Sequence, residues 1–299
     1  MSNALVALSD AIAGVVEASS AYTVTVFGRR RLPATGIVWD TDLVVTANHV
    51  VEQDEGVTVE GPDGTPIPAT VAGRDPGGDI AVLKVPGLGH TSAPRATEPV
   101  RAGEYVLGIG KAGQGQPRVS SGLINTVGAG LRIGRGRIIE PVIQSEIVML
   151  PGFSGGPLLN SRGEVIGLNS SHLAHGASIT LTVAALDPIV QALATHGRLR
   201  SGYVGIGARA VGLTEQQIRE AGLRQEVALV VLSIDEGGPA HTGGMLIGDL
   251  IVAVNGQPVS SVDDLAANLP GELIGSRIPL TVVRGAASQE IAVIVGERA

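Results

Sequence analysis

Apolar positions in this chain fall mostly into short extended runs separated by turn residues, the pattern of a mainly β protein. Between residues 22 and 85 the runs are Tyr22–Phe27, Thr35–Trp39, Leu43–Ala47, Val57–Glu60, Ala69–Ala72 and Ile80–Val85. They are parted by Asp40-Thr41-Asp42, Gly61-Pro62-Asp63-Gly64 and Asp75-Pro76-Gly77-Gly78. Six short strands bounded by such residues predict an antiparallel barrel. A second set, Tyr105–Gly108, Arg118–Thr126, Ile138–Ser145, Gly156–Leu159, Val165–Asn169 and Ser178–Val183, predicts another. The fold class expected is therefore mainly β, a double six-stranded antiparallel β-barrel.

Helical spacing is confined to a few places. Leu5, Leu8, Ile12, Val15 and Val16 put an amphipathic helix within residues 1–20, lying on the body of the protein. Asp187 and Pro188 read as the cap and first residue of a helix running to Leu199 and closing a domain over 21–198. The remaining residues, 199–299, have a different grammar, that of an α+β domain. A strand at Tyr203–Ala208 precedes a helix at Thr214–Ala221, with Thr214 and Gln217 forming a capping box. Strands at Ala228–Ile234 and Leu250–Val254, a helix at Val262–Leu269, and a hairpin of Arg277–Val283 with Gln289–Val295 follow.

Composition narrows the chemistry. Of 299 residues 43 are glycine and 17 proline, against one Trp, three Tyr and two Phe, so the cores are built from Val, Ile, Leu and Ala. A net charge of -7 gives no footprint for nucleic acid. Without cysteine, no disulfide or thiolate-bound metal is available and any nucleophile is an oxygen. No run approaches the ~18 apolar residues of a transmembrane helix. Asp10 and the lack of a basic start argue against a signal peptide, which places the chain as written in the cytoplasm, or in the cell envelope if a signal or anchor was removed. Gly108-Ile109-Gly110-Lys111-Ala112-Gly113 has dinucleotide-loop spacing but leads into Gln114-Gly115-Gln116-Pro117 instead of a helix. His172 and His175 lack a carboxylate partner nearby and read as loop residues, so no metal or cofactor is expected. Arg132, Arg135 and Arg137 read as a solvated basic hairpin or, alternatively, as a contact to the C-terminal domain or a neighbouring subunit.

The stretch with chemical character is Gly152-Phe153-Ser154-Gly155-Gly156-Pro157. Gly-x-Ser-x-Gly is also the nucleophile elbow of α/β-hydrolases, but an elbow opens a helix behind its serine, and successive glycines with a proline do not. A serine hydroxyl needs a base, and the base an acid to orient it. Among six histidines His49 alone closes an apolar strand, Leu43–Val51, and Asp79 opens the apolar Ile80-Ala81-Val82-Leu83.

Three blocks, Thr46-Ala47-Asn48-His49-Val50-Val51, Asp79-Ile80-Ala81-Val82-Leu83-Lys84-Val85 and Gly152-Phe153-Ser154-Gly155-Gly156-Pro157-Leu158, resemble the triad blocks of the HtrA/Deg serine proteases, a chymotrypsin-fold family. Gln144-Ser145-Glu146 and Val119–Ile124 resemble that family's strands before the serine loop, and the C-terminal hundred residues or so its PDZ domain. The resemblance implies an ATP-independent serine endopeptidase acting on unfolded or misfolded polypeptides in protein quality control. Ser154 would be nucleophile, His49 general base, Asp79 its orienter, and the N–H groups of Gly152 and Ser154 the oxyanion hole. It further implies that Tyr203, Val204, Gly205 and Ile206 capture a peptide's C-terminal carboxylate, with Leu265 and Leu269 lining its side-chain pocket, and that the chain forms a homotrimer.

Three departures stand out: Phe153 replaces a small polar residue, Val148-Met149-Leu150-Pro151 replaces Ala-Ile-Asn-Pro, and Leu181-Thr182-Val183-Ala184-Ala185 replaces Gly-Phe-Ala-Ile-Pro. The lack of an acid near the expected specificity pocket favours small aliphatic P1 residues. The alternative is an inactive HtrA-like peptide-binding or chaperone protein, in which Phe153 and the Met149-Leu150 segment leave the oxyanion hole unmade.

Overall fold

The computed structural model describes residues 3–30, 32–61, 63–111, 117–128, 130–133, 137–173, 178–285 and 287–297. The chain divides into two compact units, one of residues 1–131 and 139–199, the other of residues 132–138 and 200–299.

The first unit opens with α1 (Ala4–Ser19), capped by the Asn3 side chain accepting from the Leu5 N–H at 3.0 Å. Only its second half meets the body. Ile12, Val15 and Val16 are half-buried and Ser19 buried, while Leu5, Val6 and Leu8 stand exposed. Seven strands follow: β1 (Thr23–Phe27), β2 (Ala34–Asp40), β3 (Leu43–Thr46), β4 (Thr58–Glu60), β5 (Pro66–Pro68), β6 (Thr70–Asp75) and β7 (Ile80–Lys84). They form one antiparallel sheet in the order β5-β4-β1-β2-β3-β7-β6. The additional strand, β5, is legible only from its pairing, since Pro66 and Pro68 argue against a strand and are tolerated at a sheet edge.

A second group comprises β8 (Tyr105–Gly110), β9 (Arg118–Val127), β10 (Leu131–Arg132), β11 (Ile138–Ile139), β12 (Val142–Ser145), β13 (Pro157–Leu159), β14 (Val165–Ser170) and β15 (Ser178–Thr182). Six close a barrel in the order β12-β15-β14-β13-β8-β9, around Val106, Ile124, Ile143, Ile147, Leu158 and Ile166. The single strand expected over 138–145 is broken at Pro141, whose missing N–H cannot continue a ladder, so β10 and β11 pair separately. Arg132 lies with the second unit, its guanidinium 3.4 Å from Asp264, so it is not simply solvated; Arg135 lies outside the described residues.

α2 (Val183–His196) begins five residues earlier than Asp187-Pro188 suggests, because the Thr182 hydroxyl caps it by accepting from the Ala185 N–H. It ends on Gly197 in the left-handed region, φ 74°.

In the second unit, β16 (Gly202–Tyr203) pairs with β23 (Gly296–Glu297). The main sheet runs β17 (Ile206–Gly212), β18 (Val227–Ile234), β19 (Leu250–Val254), β21 (Arg277–Arg284), β22 (Ala287–Ile294), with β20 (Gln257–Pro258) on β19. α3 (Glu215–Glu220) carries the capping box expected of Thr214 and Gln217, α4 (Pro239–Thr242) is one turn, and α5 (Val262–Ala267) is capped reciprocally by Ser261 and Asp264.

Candidate active site

Strand register brings the three blocks together. Thr46 pairs with Ala81, so the 3-10 turn Asn48–Val50 that follows β3 and the residues that precede β7 share one end of the first sheet. There the Asn48 N–H donates to the Asp79 carbonyl at 3.1 Å and the His49 N–H to Asp79 Oδ1 at 2.9 Å. Asp79 has a φ of 55°, a left-handed conformation that aspartate tolerates better than most residues. Its carboxylate, 1% exposed, lies 2.8 and 3.0 Å from His49 Nδ1 and accepts the Ser170 hydroxyl at 2.5 Å. Burial pushes the Asp79 carboxyl up; the hydrogen bonds from the His49 ring, Ser170 and the His49 amide outweigh it and hold the group below the usual carboxylate range. A carboxylate at Nδ1 demands a proton there and leaves Nε2 as the free acceptor.

In the barrel, Pro157 pairs with Leu168, which sets the loop before β13 against the end of β14. Ser154, 7% exposed, has its Oγ 2.8 Å from Ser171 Oγ; no hydrogen bond joins it to His49 among the described residues. His172 stacks on His49 with ring centroids 5.3 Å apart and planes at 22°. Three consecutive residues thus each touch one member of the constellation: Ser170 holds Asp79, Ser171 holds Ser154, His172 covers His49. Sequence reasoning missed all three and read His172 as a loop residue; His175 lies outside the described residues.

The serine loop begins with a turn in which the Phe153 N–H donates to the Leu150 carbonyl at 3.1 Å. Pro151 and Gly152 occupy its centre, and the φ of Gly152, 94°, makes it type II, since a type I turn keeps that angle negative. Among the described residues, no hydrogen bond takes the N–H of Gly152 or of Ser154. Phe153 is fully buried, its ring laid over β8. A Cβ at Gly110 would sit 2.6 Å from Phe153 Cδ2, and one at Gly108 3.7 Å from Cδ1. The glycine pair that mimics a dinucleotide loop is thus the seat of this ring, and the two accommodate each other. Gly155, φ 84°, is pressed so closely onto the Thr35 carbonyl and Thr46 hydroxyl that a Cβ would meet both at 2.2 Å.

In the second unit, Gly205 has a φ of 76°, and the carbonyls of Val204 and Gly205 accept from the N–H groups of Ala240 and Asp235 at 2.8 and 3.0 Å. The Tyr203 hydroxyl bonds the Asp235 carboxylate. Val204, Leu265 and Leu269 are 4%, 6% and 4% exposed and belong to one core, with Ile206 packed against it.

Comparison with known proteins defines the class first: a trypsin-like peptidase domain over residues 34–168, followed by a PDZ domain over 204–295. Among curated relatives, the probable periplasmic serine endoprotease DegP-like of Ectopseudomonas mendocina is 30% identical over 259 residues, covering 85% of this chain and 54% of the relative. That of Brucella suis is 32% identical over 290 residues, with coverages of 90% and 53%. The chain spans about half the length of the curated relatives it matches. Of solved structures, the serine endoprotease from Yersinia pestis superposes with a TM-score of 0.73 at 24% identity, over 95% of this chain and 97% of that one. An HtrA-type protease, AlgW, with a decapeptide gives 0.73 at 23% identity, over 96% and 98%. These structures share the fold, a closed six-stranded barrel within a chymotrypsin-like domain followed by a PDZ domain. The chain belongs to the HtrA family.

Proposed function

We propose that this chain is an HtrA-type serine endopeptidase that cleaves unfolded polypeptide segments. The observation that carries this reading is the Asp79–His49 pair, with Nε2 left as acceptor, together with the N–H groups of Gly152 and Ser154, which have no hydrogen-bond partner among the described residues. Ser154 Oγ attacks the scissile carbonyl as its proton passes to His49 Nε2. The Asp79 carboxylate holds Nδ1–H in place and stabilises the imidazolium. The tetrahedral oxyanion is received by the N–H groups of Gly152 and Ser154. The proton then passes from His49 to the leaving amine, and water attacks the acyl-enzyme by the same route. An inactive chaperone gains no support from Phe153, whose ring is turned into the barrel and whose turn keeps the Gly152 N–H unbonded.

The PDZ domain captures free C-terminal peptides at the Tyr203–Ile206 loop, whose backbone is fixed through the Val204 and Gly205 carbonyls and whose N–H groups would receive the carboxylate. Leu265 and Leu269 provide the apolar floor beneath it. The exposed Leu5, Val6 and Leu8 of α1 support a homotrimer built through the N-terminal segment. The relatives' periplasmic names support a place in the cell envelope over the cytoplasm, and among the described residues no helix is long and apolar enough to cross a membrane.

Casein hydrolysis and fluorophosphonate labelling test the central claim. Both are expected in the parent, with Ser154→Ala unlabelled and slower by up to ~10⁶. Equal hydrolysis by mutant and parent refutes it.

A further inference from the structure

We propose that Thr35, on β2, is the positioning residue that sets the oxyanion donors of this chain. The proposal rests on the reading of Ser154 as nucleophile and adds a residue from the opposite sheet to its machinery.

Both residues assigned as donors have their carbonyls on Thr35. Its hydroxyl donates to the Gly152 carbonyl at 2.6 Å, in a fully buried bond, and its N–H donates to the Ser154 carbonyl at 3.4 Å. The Gly152–Phe153 peptide is thereby held at both ends, its carbonyl by Thr35 and its N–H by Leu150. The Ser154–Gly155 peptide is held likewise, its carbonyl by Thr35 and its N–H by the Asn169 carbonyl at 2.9 Å. The N–H groups of Gly152 and Ser154 belong to the peptides preceding these two. Anchoring alternate peptides on β2 leaves the intervening donors unclaimed.

Thr35 is itself fixed. Its hydroxyl, having given its one hydrogen to Gly152, accepts the Lys111 N–H at 2.7 Å, and its carbonyl accepts the Thr46 hydroxyl at 2.7 Å. Its methyl group lies against Gly156, where a Cβ would come within 3.0 Å. A buried hydroxyl with one donor and one acceptor role filled has a single workable rotamer, so it transmits the position of β2 to the loop. Neither a hydrophobic pattern nor a motif marks it in the sequence.

Thr35→Val keeps the branched shape and the backbone N–H and removes only the hydroxyl. Deleting a whole oxyanion donor costs about 10²–10³ in rate, and displacing one costs less, so kcat is expected to fall about tenfold with KM within about twofold. Thr35→Ser restores the hydroxyl and should recover kcat to within about twofold of the parent. Hydrogen exchange followed by mass spectrometry over residues 148–156 reads the clamp without any turnover. Exchange in that segment should quicken at least about tenfold in Thr35→Val and not in Thr35→Ser. Unchanged kcat in a folded Thr35→Val, unchanged exchange, or a Thr35→Ser variant as impaired as Thr35→Val would each overturn the proposal. Should Thr35→Val fail to fold, Thr35→Ala carries the same comparison. A parent that takes up no fluorophosphonate defeats the reading of Ser154 as nucleophile, while the exchange data still judge the clamp.

Discussion

The hydroxyl of Ser154 is paired with that of Ser171, 2.8 Å away, and not with the imidazole of His49. In this resting arrangement the nucleophile sits against Ser171 with no bond to its base, either hydroxyl being able to donate, and turning Oγ toward Nε2 gives up that pairing. A neutral hydrogen bond contributes about 1 kcal/mol net, so the departure costs about fivefold in rate. Ser171→Ala is therefore expected to raise the rate of fluorophosphonate labelling by up to about fivefold, with Tm nearly unchanged. Slower labelling would show that Ser171 orients the nucleophile and does not restrain it.

Phe153 and Gly110 form a volume-matched pair. A methyl group at Gly110 would overlap the ring at 2.6 Å, and overpacking of this kind costs about 1–3 kcal/mol. Phe153→Ala leaves a cavity and costs about 3–5 kcal/mol. Combined, the two changes should cost less than their sum by at least about 1 kcal/mol, as measured by urea unfolding of all four chains. Strict additivity would mean that the ring does not depend on that glycine.

Asp79 has a lowered carboxyl pKa, so it binds fewer protons in the folded chain than in the unfolded one near its titration. Its contribution to stability is present above the ordinary carboxyl value of 3.8 and lost as pH falls through the lower folded value. Asp79→Asn should flatten the acid limb of a stability–pH curve measured by denaturant midpoint. In activity it should cost about 10⁴, because an amide can donate to Nδ1 and impose the wrong tautomer.

Tyr22 provides the alkaline counterpart. Burial pushes its phenol from 10.0 up to about 12, with the hydroxyl donating to the Gly163 carbonyl at 2.7 Å. Because the folded pKa is the higher, its contribution is complete below pH 10 and declines between about pH 10 and 12. Absorbance titration at 295 nm should show an ionisation step at about pH 12, and Tyr22→Phe should remove it.

His49, Asp79 and Ser154 are legible in sequence because each stands at the end of an apolar run or within a glycine loop, and local pattern reveals such positions. Thr35, Ser170, Ser171 and His172 acquire their roles from non-local pairing. The end of β14 lies beside the start of β13, and β2 meets the serine loop across two sheets. Nothing in the residues flanking them encodes those adjacencies. The misplaced start of α2 has a different origin, since Asp187-Pro188 is a legitimate cap signal overruled by Thr182 upstream. Phe153, conspicuous as a departure, becomes intelligible only with Gly108 and Gly110 beneath it.

The edge strand β5 reads Pro66-Ile67-Pro68, and Ile67 pairs with Val59. Since proline has no hydrogen to offer β4, the ladder on the inner side is made by Ile67, and the positions facing outward are the two prolines. That rim therefore presents acceptors without a donor, and a stray extended segment cannot template onto it. For a chain proposed to work among unfolded polypeptides, this turns a sticky margin of the first sheet into an inert one and keeps client segments from lodging away from Ser154.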